Sequence, residues 1–387
     1  MKKIILLLPL LFLLTGCYNY RELNDLAIIS GVSVSKEKDI YKITAEIVNP
    51  KKEQDASTSK ETDYIIYEGE GKSMQEAFRE IVKESPQKLY GAQMDILIIE
   101  EETAKEGIGD IIDFFARDPE VRSEFYVLIS KTDEPLKIVS PLVNITSKNI
   151  KKSLEATNTY MGISNMITYH ELISTYLNPY QEIALPSVEI KGNKNIGETV
   201  KNTESSTSKA TNIISNMTVF KNNKLIGHLS KEESLYYNLI MNNSKTVLIR
   251  NEYNDNKFIV NEIIKSSCEM KPNINKKKIT LSIKGTATIA DVNKKIDLED
   301  KQEYKKIQDK FNKTIEEKTK ETIKSIISKY NTDIFGFKDL FYKENPKEFM
   351  NIYKNSKEDF LKNLKLEVKS NIEIIEKGNL NGGIYHE

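Results

Sequence analysis

Asp95-Ile96-Leu97-Ile98-Ile99, then Ile108-Gly109-Asp110-Ile111-Ile112-Asp113-Phe114-Phe115 and Phe125-Tyr126-Val127-Leu128-Ile129, form the stretch from which the fold is read. A strand wetted on one face alternates apolar and polar residues, so the unbroken apolar run Ile96 to Ile99 predicts a strand covered on both faces. Ile108, Ile111, Ile112 and Phe115 then recur at helical spacing, Phe114 widens the stripe, and Pro119 stops the helix at Asp118. A second buried strand follows at Phe125 to Ile129. Strand, helix, strand with covered strands at both ends is the pattern of a mixed α/β layer.

Towards the N-terminus the same layer gains strands. Leu26-Ala27-Ile28-Ile29 with Val32 and Val34 reads as a first strand. Tyr41, Ile43, Ala45 and Ile47 alternate with Lys42, Thr44 and Glu46 as a half-buried second one, ending at Asn49-Pro50. Lys51 to Thr62 is a polar loop, and Tyr64 to Tyr67 resumes as a strand before Gly69 and Gly71. Ser73 and Glu76 form a capping box that opens a helix with Met74, Ala77, Phe78, Ile81 and Val82 on one face, ending near Ser85-Pro86.

Towards the C-terminus, Ile150, Leu154 and Met161 mark one helix, and Thr168 with Glu171 caps another that carries Tyr169, Leu172, Ile173 and Tyr176. The stretch 193–210 is polar and nearly free of large apolar residues, which predicts an interdomain linker. Beyond it, Met217 to Leu229 reads as a hairpin turning at Lys221 to Lys224. Strands are expected near Thr246 to Arg250, Phe258 to Ile264 and Ile279 to Ile289. A helix from about Leu298 to Tyr330, long enough at 1.5 Å per residue to cross a whole sheet, carries one apolar stripe. Leu366, Val368, Ile372 and Ile374 alternate in a closing strand. The whole predicts an α+β chain of three mixed α/β domains, the last an antiparallel sheet with a long helix packed on it: 17–135, 136–192 and 211–387, with 193–210 between the last two.

Residues 1–16 have a different character. Lys2 and Lys3 precede an apolar run from Ile4 to Leu14, too short to cross a bilayer, and Leu14-Thr15-Gly16-Cys17 closes it. The order of those four residues resembles the bacterial lipobox. It implies transfer of diacylglycerol to the Cys17 sulfur, cleavage before Cys17, and a new amino group open to an amide-linked acyl chain. Membrane lipid is then a partner through Cys17, and no other cofactor is expected. Lys plus Arg and Asp plus Glu each number 57. Removing Lys2 and Lys3 leaves 55 against 57, about −2 for the mature chain, with no nucleic-acid footprint. Besides Cys17 the chain has only Cys268, so no disulfide framework exists.

Catalytic patterns are poor, and the chain reads as no enzyme. Glu68 to Ser73 imitates a phosphate loop, but Ile66 stands where its first glycine is required, and Ser73 serves as a helix cap. His170, His228 and His386 share no metal-ligand spacing with one another or with a cysteine. The most suggestive polar cluster is Asp113, Arg117, Asp118 and Arg122, with Asp113 and Arg117 at i, i+4 opposite Ile108 and Ile112. It reads either as a solvated ion pair or as a contact surface for another subunit.

Several phrases carry a family resemblance. Gly16-Cys17-Tyr18 is followed by Arg21-Glu22-Leu23-Asn24-Asp25-Leu26-Ala27 and by Ser85-Pro86-Gln87-Lys88-Leu89-Tyr90-Gly91. Glu101-Glu102-Thr103-Ala104-Lys105-Glu106-Gly107 runs on into Asp113-Phe114-Phe115-Ala116-Arg117-Asp118-Pro119-Glu120-Val121-Arg122. Near the end come Val219-Phe220-Lys221, Lys224-Leu225-Ile226-Gly227 and Asp333-Ile334-Phe335-Gly336-Phe337. In order and spacing after a lipobox, these resemble the Ger(x)C family, the C subunits of bacterial spore nutrient germinant receptors. Lys338 stands where relatives often have a second glycine. The resemblance implies a three-domain lipoprotein on the outer face of the spore inner membrane, partnered by an A-type membrane subunit and a transporter-like B-type subunit. A solute-binding lipoprotein of a transporter is the alternative, and a surface-anchored cell-wall hydrolase a third class.

Overall fold

The computed structural model describes residues 25–48, 63–85, 87–132, 134–140, 145–204, 206–252, 258–293, 300–356 and 359–376. Residues 1–16 (the expected signal sequence), Cys17, the expected polar loop at 51–62 and His386 lie outside the described residues.

The N-terminal sheet is built on β1 (Leu26–Glu37), β2 (Ile40–Val48), β3 (Tyr64–Gly71), β5 (Ile96–Glu100), β6 (Tyr126–Ser130), β8 (Ser187–Gly192) and β9 (Ala210–Ile214), in the order β3-β2-β1-β5-β6-β8-β9. A short β4 (Lys88–Tyr90) runs parallel to the start of β1, pairing Leu26 with Lys88 and Ala27 with Leu89. β1, β5, β6 and β8 are mutually parallel, while β2 and β9 run against their neighbours.

Period-2 alternation sorts the side chains. Val32, Val34, Ile43, Ala45, Leu97 and Ile99 face a layer made by α1 (Met74–Ile81), α2 (Glu101–Glu106), α3 (Gly109–Arg117) and α5 (Tyr169–Tyr176). Ile96, Ile98 and Leu128 point the other way, onto Ile150 and Leu154 of α4 (Thr146–Tyr160). The central strand β5 is therefore covered on both faces, as its unbroken apolar run requires.

Both expected capping boxes form, at Ser73 with Glu76 and at Thr168 with Glu171. Gly69 lets α1 lie directly on β3: a Cβ there would sit 2.1 Å from the Ala77 carbonyl oxygen. α4 has no side-chain cap of its own. Its first N–H groups are met by Glu46 of β2, a fully buried carboxylate 100 residues away in the chain. The Glu46 Oε1 accepts from the Thr146 N–H at 2.7 Å, and Oε2 accepts from the Ser147 N–H at 2.9 Å and from the Ser30 hydroxyl at 2.8 Å. Burial pushes this carboxyl up, and the bonds from Ser147, Ser30 and Thr146 act against that rise.

The expectation of a linker at 193–210 is corrected. That stretch carries α6 (Lys194–Gly197) and folds back so that Ala210 pairs with Gly192 in the N-terminal sheet. Buried Asn202 holds it, donating from Nδ2 to the Val139 and Ala210 carbonyls and accepting the Lys209 and Ala210 N–H groups on Oδ1. Asparagine hydrogen bonds, rather than apolar contacts, fix the segment, and so its polar composition imitates a linker.

The C-terminal sheet has the order β12 (Val247–Glu252), β13 (Phe258–Asn273), β14 (Lys278–Val292) and β15 (Lys365–Glu376). β12 through β14 are antiparallel, as expected. β15 departs from that expectation and runs parallel to β14, because the 30-residue helix α8 (Lys301–Tyr330) intervenes and returns the chain to the starting end of the sheet. Ile307, Phe311, Ile315, Ile323, Ile326, Ile327 and Tyr330 of α8 are buried in a core with β13, β14 and β15. Next come α9 (Phe337–Glu344) and α10 (Pro346–Ser356).

The Asp333 to Phe337 phrase has a physical role. Asp333 is fully buried and caps α9, accepting the Phe337 and Lys338 N–H groups at 3.1 and 2.7 Å, while Gly336 takes φ 76°. Lys338 lies inside the first helical turn, where no second glycine is needed.

The two halves meet through a hairpin of β10 (Thr218–Lys221) and β11 (Lys224–His228), to which β7 (Ala184–Leu185) adds a third strand. His228 Nε2 approaches Glu101 Oε2 of α2 at 3.1 Å, and the Tyr330 hydroxyl donates to the His228 carbonyl at 2.6 Å. A Cβ at Gly227 would lie 2.4 Å from the Tyr330 ring, so that glycine lets the end of α8 close onto the hairpin. α7 (Lys231–Ile240) follows, opened by a third capping box, Ser230 with Glu233.

Candidate functional site

α1 and α3 lie side by side on one face of the N-terminal sheet, each held down by its apolar stripe: Met74, Ala77 and Ile81 on one, Ile111, Ile112 and Phe115 on the other. Their solvent-facing residues border a cleft of about 690 Å³ lined by Lys72, Gln75, Asp110, Asp113, Arg117 and Asp118, with Tyr41 and Phe114 beneath. Three of the four residues singled out from the sequence, Asp113, Arg117 and Asp118, are thus brought together. Arg122 is exposed on the segment before β6 and does not line the cleft.

The Asp113–Arg117 pair is bidentate, with Arg117 Nε donating to Oδ2 at 2.7 Å and Nη2 to Oδ1 at 2.9 Å. Both side chains remain mostly exposed, at 60% and 77%. The Arg117 guanidinium holds the Asp113 carboxyl below its usual range. Asp118 accepts the Glu120 N–H at 2.9 Å and so fixes the turn after α3. Tyr41 donates to Asp110 at 3.0 Å, and burial together with that bond pushes its hydroxyl up to about 12. The arrangement offers directional charged and hydrogen-bonding groups on rigid helices.

A second recess, of about 430 Å³, adjoins the cleft and shares Gln75, Phe114, Asp118 and Glu120 with it. Phe78 and Phe114 stack across its wall with ring centroids 5.2 Å apart. Sequence reasoning did not find it. Its lining spans Ile29 to Val121; Val82, expected on the apolar face of α1, instead follows the end of the helix and is half exposed at the edge of the recess.

On the opposite face of the sheet, beyond the edge of α4, a polar depression of about 420 Å³ sits at the carboxyl ends of β1, β5 and β6. Ser33, Ser35, Thr44, Glu100, Ser130 and Thr132 line it. Lys42 and Glu134 border it at 2.8 Å from each other, inside a network in which Glu68 and Glu134 share Lys42 and Lys137, and Glu134 also binds Lys194. Burial alone would raise the Glu134 carboxyl, but hydrogen bonds from Lys137, Lys42 and Lys194 outweigh it and bring it down to about 2.

Among the described residues, no group of three or more His, Cys, Asp and Glu side chains could hold a metal ion, and no helix is long and apolar enough to cross a membrane. His170 is exposed on α5, and His228 belongs to the contact between the two halves.

Comparison with known proteins gives one consistent result. Residues 19–190 match the model of the spore germination protein N-terminal domain, and residues 215–378 match the spore germination B3/GerAC-like C-terminal model. Spore germination protein KC of Bacillus subtilis (strain 168) is 25% identical over 398 residues, covering 99% of this chain and 97% of that protein. Spore germination protein GerQC of Bacillus cereus is 22% identical, with 98% and 99% covered. The crystal structure of the GerBC protein superposes with a TM-score of 0.51 at 15% identity, over 89% of this chain and 97% of that one, which shows the shared fold. With two successive family models spanning nearly the whole chain and relatives matched end to end, the chain belongs to the Ger(x)C family of spore germination proteins.

Proposed function

We propose that this chain is a lipid-anchored, non-enzymatic subunit of a spore nutrient germinant receptor, held on the outer face of the spore inner membrane beside A-type and B-type subunits. The observation that carries the reading is the position of the lipobox: Cys17 stands two residues ahead of a family match that begins at residue 19. Diacylglycerol on Cys17 would confine the folded domains to the membrane surface and raise their effective concentration towards membrane subunits, so that modest contacts suffice for assembly. The rigid, charged cleft between α1 and α3 is the surface we assign to those contacts, with Asp113, Arg117 and Asp118 fixing orientation.

The test is a pull-down of tagged protein from spore membranes of its own host, with mass spectrometry of the partners and of the N-terminal peptide. Diacylated Cys17 together with a transporter-like and a membrane-embedded subunit is the expected result. Recovery of an ABC transporter, or of an unmodified Cys17 without partners, overturns it. Arg117→Glu should weaken that co-purification while leaving the melting temperature unchanged.

A second reading, a solute-binding lipoprotein, draws on the hydroxyl-lined depression at the strand ends. A thermal shift of the purified protein with an amino acid or a sugar would support it.

A further inference from the structure

The recess beside the α1–α3 cleft differs from every other cavity described above in how its lining is distributed. Its deepest residues, Ile29, Val32, Met94 and Phe115, are apolar and buried. The polar residues that line it, Arg79, Lys88, Asp118 and Glu120 among them, are exposed or half exposed and so form the rim, with Lys88 paired to Glu120. No lining residue has a buried side-chain nitrogen or oxygen left without a partner. A peptide entering this space would bring backbone N–H and C=O groups for which the wall has no partners, a costly burial. A hydrocarbon chain brings none.

Position makes the same distinction. Lys88 and Leu89, on the lining, pair with Leu26 and Ala27 at the start of β1. Cys17 is nine residues before Leu26. At a maximal 3.3–3.6 Å per residue, the recess cannot lie further than about 30 Å along the chain from a lipid on that cysteine. We infer that the recess between α1, β4 and the end of α3 binds a single acyl chain, entering past Val82; where the molecule has an anionic head, as a phospholipid or a free fatty acid does, that head lies at Arg79. The proximity of a lipid and its supply from the anchor rest on the reading of Cys17 as lipidated; the apolar lining does not. The chain comes either from the protein's own anchor or from a phospholipid of the adjacent bilayer.

The probe is cis-parinaric acid, which fluoresces when its polyene enters an apolar site. The full mature chain is made without lipid as Cys17→Ser and titrated with it. Saturable uptake of one molecule per chain is expected, weakened at least tenfold by Val82→Trp, which fills the half-exposed mouth, and several-fold by Arg79→Glu on the exposed rim. Circular dichroism and melting temperature should match the parent in both variants. Absence of saturable uptake overturns the inference, and so does uptake unchanged in both variants.

The lipidated chain then separates the sources. If it refuses the probe and releases no phospholipid from nanodiscs in native mass spectrometry, its own anchor fills the site. If it releases one bound phospholipid, the bilayer supplies the chain. An unmodified Cys17 in the spore, read by mass spectrometry, would remove the first source and the proposed anchoring while leaving the acyl site itself standing or falling on the titration.

Discussion

Glu46 Oε1 lies 2.7 Å from the Thr146 backbone nitrogen, so a strand in the second position of the fold caps a helix that begins 100 residues later. Glu46→Ala leaves two helical N–H groups buried without their acceptor, while the Ser30 hydroxyl keeps only the backbone carbonyl of residue 46. The expected loss is about 2–4 kcal/mol of unfolding free energy, read from urea midpoints at constant slope. A loss under about 0.5 kcal/mol, the size of an ordinary surface change, would show that α4 does not depend on this cap.

Glu134 predicts an acid-side signature. Its folded carboxyl sits at about 2, below the roughly 4.3 of an unfolded glutamate. A depressed carboxylate contributes stability above its unfolded value and loses it as pH falls towards the folded one. The stability gap between the parent and Glu134→Gln should be constant from pH 7 to about 5 and should shrink between about 4 and 2. Urea titrations across that range check it; a gap that widens on acidification contradicts the Lys42–Lys137–Lys194 cage.

Thr319 interrupts the buried stripe of α8. It is fully buried, and its hydroxyl has no hydrogen-bond partner. Thr319→Val keeps the shape and removes the unsatisfied group, so a gain of about 1 kcal/mol is expected, with a melting temperature higher by about 1–2 °C. Calorimetry decides; a lower melting temperature would mean that the hydroxyl finds a partner in solution.

Cys268 is buried on β13, its N–H donating to Asn242 Oδ1 at 2.6 Å, and burial pushes its thiol up to about 12. A thiol so protonated is a poor nucleophile. Labelling of native protein by a thiol reagent at pH 8 should therefore be slow and should accelerate only as urea unfolds the chain. Rapid labelling without denaturant would place the thiol at the surface.

The sequence made some of this visible and hid the rest for identifiable reasons. Alternation in Tyr41 to Ile47 and the unbroken run Ile96 to Ile99 reported their faces because sheet burial acts on each residue separately. The boxes at Ser73 and Thr168 are local, complete within four residues. The same signal stands at Ser230 and Glu233 and marks α7, which was not read from it. By contrast, Asn202 and Glu46 act through partners far along the chain, and nothing near them in sequence announces the bond. The candidate site divides the same way. Asp113 and Arg117 declare themselves by spacing, whereas the apolar recess is assembled from three separate stretches and appears only once β4 is set against β1.

The parallel pairing of β14 with β15 carries a consequence for how the chain acquires its structure. Ile279 pairs with Leu366 on the far side of the long helix, whereas β13 and β14 are joined by a tight turn. The hairpin can close early, but β14 keeps an open edge until the last strand has been synthesised, since loop closure over the helix is the slowest contact to gain. A chain cut short before Lys365 would present that edge, with Ile279, Leu281 and Ile283 along it, as a template for other chains. Completion of that last strand, twelve residues long, is thus what separates a chain with a closed sheet from one that aggregates.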